Sequence, residues 1–279
     1  MLNFELYNPV RIIFGPGEAE NIGKYTKEYG TKAMLVTYDV HDFFNELLAK
    51  LDKSFKDAGV TVTEFFKVKP NPRLSDIEEA IDICRKEGIE VIVALGGGSV
   101  MDSAKAIGAG VKYDGDPWKM FVSRHDKAVA VPPTDTLPTI MIPTKSATSS
   151  ETNNVAVATN DRTHEKAYIW APVLYPKICV MDPCVTATLP KFPMAAGAVD
   201  AMSHVLEAYL NGDQNSPVQD RCHEGLLMAV MDLIRKIFKD PDDIQARASL
   251  QWASTLTWNG YLQAGLAAPT PCHQIGHVL

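Results

Sequence analysis

The first half of the chain divides into short apolar runs separated by amphipathic stretches. "KAMLVTY" (32–38), "VTVTEFF" (60–66) and "EVIVALGGG" (90–98) are rich in β-branched residues and predict buried strands. Between them, "DFFNELLAKLDKSFKDAG" and "LSDIEEAIDICRKEG" repeat apolar residues at helical spacing, and each closes on a Gly. Strands alternating with helices of this length imply βαβ units and a parallel sheet covered on both faces. A further strand is expected in "TIMIPT", and another short β section begins at "VAVATN". The pattern changes near "DPCVTATLPKFP". From Met194 onward, "AAGAVDAMSHVLEAYLNG", "SPVQDRCHEGLLMAVMDLIRKIF" and "DDIQARASLQWASTLTWNGYL" all read as helices. The expected architecture is an α/β domain with a parallel sheet, residues 1–185, followed by an all-helical domain, residues 186–279.

Composition narrows the function classes. The 279-residue chain carries a formal net charge of −7, so it lacks the Lys/Arg excess that nucleic acid or an anionic membrane surface demands. No apolar stretch reaches the length of a membrane span, and the start "MLNFELYNPVRIIFG" has no basic region followed by an apolar one. Five scattered cysteines without a C-x-x-C pair predict reduced thiols and a cytoplasmic location. A small molecule is the expected partner.

Three stretches carry candidate chemistry. In "ALGGGSVMDSAKAIGAG" a strand runs into successive glycines and then a helix, which suits a pyrophosphate held on backbone N–H groups. The spacing is not the Rossmann G-x-G-x-x-G, and the same residues also read as a tight turn with Ser99 and Asp102 as a capping box. Asp39, at the end of a strand, can take both hydroxyls of an adenosine ribose and repel a 2′-phosphate; a turn-forming Asp is the equal alternative. In "AGAVDAMSHVLEAY", Asp200 and His204 lie four apart on one helix face, with Glu207 close by. Alone they read as a hydrogen-bonded pair. A second helical pair, His273 and His277, makes shared ligation of one divalent metal the sharper reading. Thr270 and Pro271 would start the last helix, and Ile275, Val278 and Leu279 would need a partner surface. His41, His125, His164 and His223 sit in polar stretches and are expected at the surface.

These pieces, with "NPVRIIFG", "KPNP", "PTKSATSSETNNVAVATN" and "YPKICVMDP", resemble the iron-containing (group III) alcohol dehydrogenases, in their butanol dehydrogenase or aldehyde reductase branch. The combination of "GGGSxxDxAK" with "DxxxHxxE" is specific, and the likeness runs over essentially the whole chain. It implies that Gly97, Gly98 and Ser99 hold the cofactor pyrophosphate and that Asp102 sits near the nicotinamide. It implies that Thr144, Thr148 and Lys166 line the cofactor cleft, and that Asp200, His204 and His273 are metal ligands. His277 matches a further His near the substrate and is the candidate proton relay. The implied cofactors are NAD(P), with NAD favoured by Asp39, and a divalent metal, with Fe2+ favoured over Zn2+. A homodimer is the family expectation.

The implied reaction moves a hydride between a primary alcohol and the nicotinamide, or from the reduced ring to an aldehyde. A same-fold polyol dehydrogenase is the alternative within the fold. Two departures from the family pattern are expected to matter. Ser149 stands where a Gly is usual and should crowd the cleft. The family's fourth ligand, a His in a "PHG"-like stretch about ten residues after His277, does not occur before Leu279. On that basis the chain is expected to be truncated, with a non-catalytic nucleotide-binding fragment as the competing reading.

Overall fold

The computed structural model describes residues 1–123, 129–211, 215–267 and 270–276. Eight strands come first: β1 (Arg11–Phe14), β2 (Lys32–Tyr38), β3 (Thr61–Val68), β4 (Val91–Gly96), β5 (Thr139–Pro143), β6 (Val155–Asn160), β7 (Glu165–Trp170) and β8 (Ile178–Met181). Helices α1 (Ile22–Lys27), α2 (Asn45–Ala58), α3 (Leu74–Glu87) and α4 (Gly98–Lys112) are threaded among them. Beyond Met181 the longer described elements are all helices: α5 (Lys191–Asn211), α6 (Pro217–Lys239), α7 (Ile244–Thr257) and α8 (Pro271–Gly276). No helix among the described residues is long and apolar enough to cross a membrane.

Six strands form a wholly parallel sheet in the order β1-β8-β5-β4-β2-β3. Every residue of β4 is buried, as a central parallel strand with both faces covered requires. The twofold period of the strands sorts their side chains. Met34, Val36, Ile92 and Ala94 join α3 and α4 in one core; Ala33, Leu35, Val91 and Val93 join α1 and α2 in the other. The helices α2 and α3 end at Gly59 and Gly88, both left-handed (φ 70° and 69°), as the closing glycines predict. A third core, around Met194, Val230, Ile237 and Leu250, holds the later helices together. Strands β6 and β7 form a separate antiparallel hairpin.

Strands β1 and β8 are four residues each, too short for a strand pattern to stand out, and they complete one edge of the sheet. Chain order reverses between β2 and β4: after β3 the chain crosses back and lays β4 on the far side of β2. Ligands of such sheets bind beyond the strand ends at that switch point. Here the ends are Tyr38 and Gly96, with the glycine loop immediately after.

The chain between β5 and β6 joins the sheet to the later helices. Ser149, expected to crowd the cleft, does not face it: the residue is fully buried and its hydroxyl donates to Ser254 O at 2.7 Å, with Thr257 Oγ1 at 3.0 Å. Its φ of 53° explains why Gly suits the position, since a left-handed residue with a Cβ costs about 1–2 kcal/mol. The hydroxyl's hydrogen bond offsets about 1 kcal/mol of that cost. In urea unfolding, Ser149→Gly should therefore stay within about 1 kcal/mol of wild type, whereas Ser149→Ala, which keeps the strain and loses the bond, should lose about 1–2 kcal/mol. An Ala variant as stable as the Gly variant would contradict this balance.

Candidate metal and cofactor site

A cavity of about 610 Å³ opens between the sheet's switch point and the later helices. One wall holds Gly98, Ser99 and Asp102 of α4, Thr148, Ser150 and Asn153 of the joining segment, and Lys166 of β7; the other holds Asp200, Ser203, His204, Trp258, Cys272 and His273. Thus eight of the residues singled out from the sequence share one space.

On the sheet side, α4 starts at Gly98 without a side-chain cap, and Gly98 and Ser99 of its first turn line the cavity at the positive end of the helix dipole. The alternative capping box does not form. Asp102 turns away from Ser99, accepting from the Ser150 hydroxyl at 2.6 Å and from Val157 N–H at 3.1 Å. The Gly97 N–H donates to the Tyr38 hydroxyl at 2.8 Å, which ties the ends of β2 and β4 together. Burial pushes the Tyr38 phenol up, so it stays protonated. A Cβ at Gly98 would meet Thr148 Cγ2 at 2.7 Å, so this glycine serves packing within the protein as well as any approach by a phosphate.

Beneath the cavity floor lies a group that the motif reading passed over. Lys105, fully buried, donates to Ser150 Oγ (2.9 Å), Asn153 Oδ1 (3.0 Å) and Val155 O (2.8 Å). Burial holds its ammonium down at about 8, against the pull of Asp102 and Glu151. Burial likewise pushes Asp102 and Glu151 up, with Lys105 working in the opposite direction. The signal was present as the Lys of "DSAK", but a lysine on an amphipathic helix ordinarily reads as solvated.

On the helical side, single ligand atoms of Asp200, His204 and His273 lie within 4.8 Å of one another. Asp200 and His204 are one turn apart on α5, and α8 brings His273 back to them. The two imidazoles stack at 4.3 Å with a 14° tilt, and His273 Nε2 is 3.7 Å from Asp200 Oδ1. Trp258 also stacks on His204, at 5.6 Å. Burial pulls His204 down to about 4, so it is a neutral donor, and its buried Nδ1 has no hydrogen-bond partner. Burial alone would raise Asp200, but the neighbouring His273 and His204 rings hold it below its ordinary range. One carboxylate, two close imidazoles and an orphaned ring nitrogen fit a divalent transition metal.

The remaining expected residues are placed elsewhere. Gly97 and Thr144 lie at the strand ends without lining the cavity, with Thr144 N–H donating to Gly96 O at 3.0 Å. Asp39 is exposed after β2, its carboxylate accepting from Val40 N–H at 2.9 Å. His277 and His125 lie outside the described residues. His164 is exposed and His41 half-buried, but His223, expected at the surface, is fully buried. It shares the inward face of α6 with Gln219 and Val230.

Two family models match in succession: iron-containing alcohol dehydrogenase over residues 9–183, and the C-terminal part of the Fe-containing alcohol dehydrogenase family over 194–279. The chain belongs to the iron-containing alcohol dehydrogenases. Among curated members it is 38% identical to probable NADH-dependent butanol dehydrogenase 1 of Bacillus subtilis, over 100% of this chain and 70% of that one. It is 31% identical to the NADPH-dependent aldehyde reductase YqhD of Escherichia coli, with the same coverage. The crystal structure of NADH-dependent butanol dehydrogenase A from Thermotoga maritima superposes with a TM-score of 0.92 at 38% identity, covering 99% of this chain and 68% of that one.

In this family member the buried Lys105 gives a direct test. Lys105→Met strips Asp102 and Glu151 of their counter-charge and should cost about 3–5 kcal/mol in chemical denaturation. Both carboxyls have folded pKa values raised by burial. Above the unfolded pKa, therefore, the native state holds more protons and stability falls as pH rises. The penalty should therefore shrink as pH falls from the alkaline side toward the ordinary carboxylate range. A penalty independent of pH would remove the electrostatic explanation.

Proposed function

We propose that this protein oxidises primary alcohols, or reduces the corresponding aldehydes, with NAD(H) preferred over NADP(H) and with a divalent metal, Fe2+ before Zn2+, on Asp200, His204 and His273. The observation that carries the reading is that this three-ligand cluster opens on the same cavity as the first turn of α4. The names of the B. subtilis and E. coli relatives support butanol-like alcohols and aldehydes as the substrate class.

In this reading Gly98 and Ser99, in the first turn of α4, bind the cofactor pyrophosphate, and Gly97, tied to Tyr38, fixes the turn that presents them. Asp102, with Thr148 and Lys166, orients the remainder of the cofactor toward the helical wall, and Thr144 supports them from the end of β5. Asp102 is held by Ser150 and Val157, so its carboxylate has a fixed direction. The Lys166 ammonium, bonded to Asn71 Oδ1 at 3.1 Å, contributes a positive charge at the cavity edge. A metal on the three ligands supplies Lewis acidity toward an alcohol or carbonyl oxygen, and the nicotinamide supplies the site that gains or loses hydride. Trp258 shields His204 from water on one side. His277, four residues beyond His273 in sequence, is the candidate for passing the released proton to solvent. The division between the cofactor and metal halves is placed at 185/186.

Butanol-dependent NADH formation by Fe2+-loaded protein, run beside glycerol as substrate, tests the assignment. Asp200→Asn should lower turnover at least 100-fold, on the scale of losing a metal's support, while leaving the melting curve close to wild type. Unchanged turnover would remove Asp200 from the site, and a preference for glycerol would move the protein to the polyol reading.

Cofactor choice gives a second test. A carboxylate at 39 beside a 2′-phosphate sets like charges together, so wild type should show the higher kcat/KM with NAD(H), and Asp39→Gly should narrow the gap about tenfold or more. A wild type that already prefers NADP(H) would refute the role of Asp39.

A further inference from the structure

The third ligand is held by a residue to which no role has yet been given. Glu207 is on α5, three residues after His204 and seven after Asp200, so one helix face presents all three. Its side chain is buried, and it spends both oxygens on α8. Oε1 accepts from the backbone N–H groups of Cys272 (2.5 Å) and His273 (3.2 Å), and Oε2 is paired with His273 Nδ1. Those N–H groups are the second and third of the helix, the ones an N-cap side chain ordinarily satisfies. An acid from another helix therefore accepts the bonds expected of Thr270.

We infer that Glu207 is the positioning residue of the metal centre, fixing His273 in the tautomer that leaves Nε2 free to ligate. An ionised carboxylate only accepts, so a neutral imidazole against it must carry its proton on Nδ1 and its lone pair on Nε2. Nε2 is the nitrogen on the side of Asp200, 3.7 Å from Oδ1. A carboxylate behind a ligating histidine sets ring orientation and raises its donor strength. Here the same carboxylate also anchors the helix on which that histidine rides.

The two duties separate in Glu207→Gln. Its carbonyl oxygen can still accept from the Cys272 and His273 N–H groups, which keeps α8 capped. Its NH2 then faces Nδ1 and makes that nitrogen an acceptor, which moves the ring proton to Nε2. This inference rests on the assignment of Asp200, His204 and His273 as ligands, and the experiment distinguishes the two. Metal-free full-length wild type, Glu207→Gln and Glu207→Ala are titrated with Co2+ by visible absorption. Melting curves are recorded in parallel, and the His273 ring is read by 15N chemical shifts under alkaline conditions in which the ring is neutral. The expected result is a Gln variant that melts like wild type, shows the Nε2–H tautomer and binds Co2+ about 10–100-fold more weakly, as does the Ala variant. A Gln variant that binds Co2+ as tightly as wild type, or keeps its proton on Nδ1, overturns the inference and leaves Glu207 as a cap alone. A wild type that takes up no Co2+ overturns the ligand assignment and the inference with it.

Discussion

Burial of the polar segment Ser149–Asn153 is the constraint on which the cavity depends. A hydroxyl, amide or carboxyl taken out of water without a partner costs a few kcal/mol, so such a segment can be buried only where its neighbours supply bonds from both sides. Lys105 of α4 binds Ser150 and Asn153 from the sheet side. From α7, Thr255 donates to Glu151 at 2.6 Å and Ser254 accepts from Ser149. Asn8, near the start of the chain, donates to both Thr152 O and Asn259 O at 2.9 Å. The segment thus ties the sheet to α7 through directional bonds, and its Ser150 also holds Asp102 at the cavity wall.

What could be read from the sequence was what repeats or lies close along the chain. The alternating strands and helices were legible because periodicity is local, and so were Asp200 and His204, whose four-residue spacing already places them on one face of α5. The short strands β1 and β8 were not, since four residues carry no pattern and their pairing joins positions far apart in the chain. The same reason hid Lys105 and Ser149. Each is explained by partners about fifty or a hundred residues away, and neither spacing nor residue type names those partners. His223 misled in another way: the charged residues around it lie on the other faces of α6, so a polar neighbourhood in sequence surrounded a buried position in space. Asp39 was legible as a strand-end acid, and its exposed position leaves the ribose reading to cofactor kinetics.

The helical wall of the cavity also depends on a close approach that has no side chain in it. Gly197, three residues before Asp200, sits so near the loop after β5 that a Cβ would lie 2.4 Å from Ser146 O and 2.8 Å from Lys145 Cε. Only the absence of a Cβ lets α5 lie this low over the sheet's end, and the helix then carries Asp200 and His204 toward the cavity on a rigid rod. Ligands placed by a long packed helix are fixed more closely than ligands on loops. His273 arrives differently, on the short α8, which meets α5 through Ser203 and Cys272 as well as through Glu207. A six-residue helix has little stability of its own, so its position is set by what it docks against. Asp200 and His204 are therefore fixed by the fold, and His273 is held against the same helix through Glu207. The geometry of the site reduces to the placement of α5, and that placement rests on a glycine.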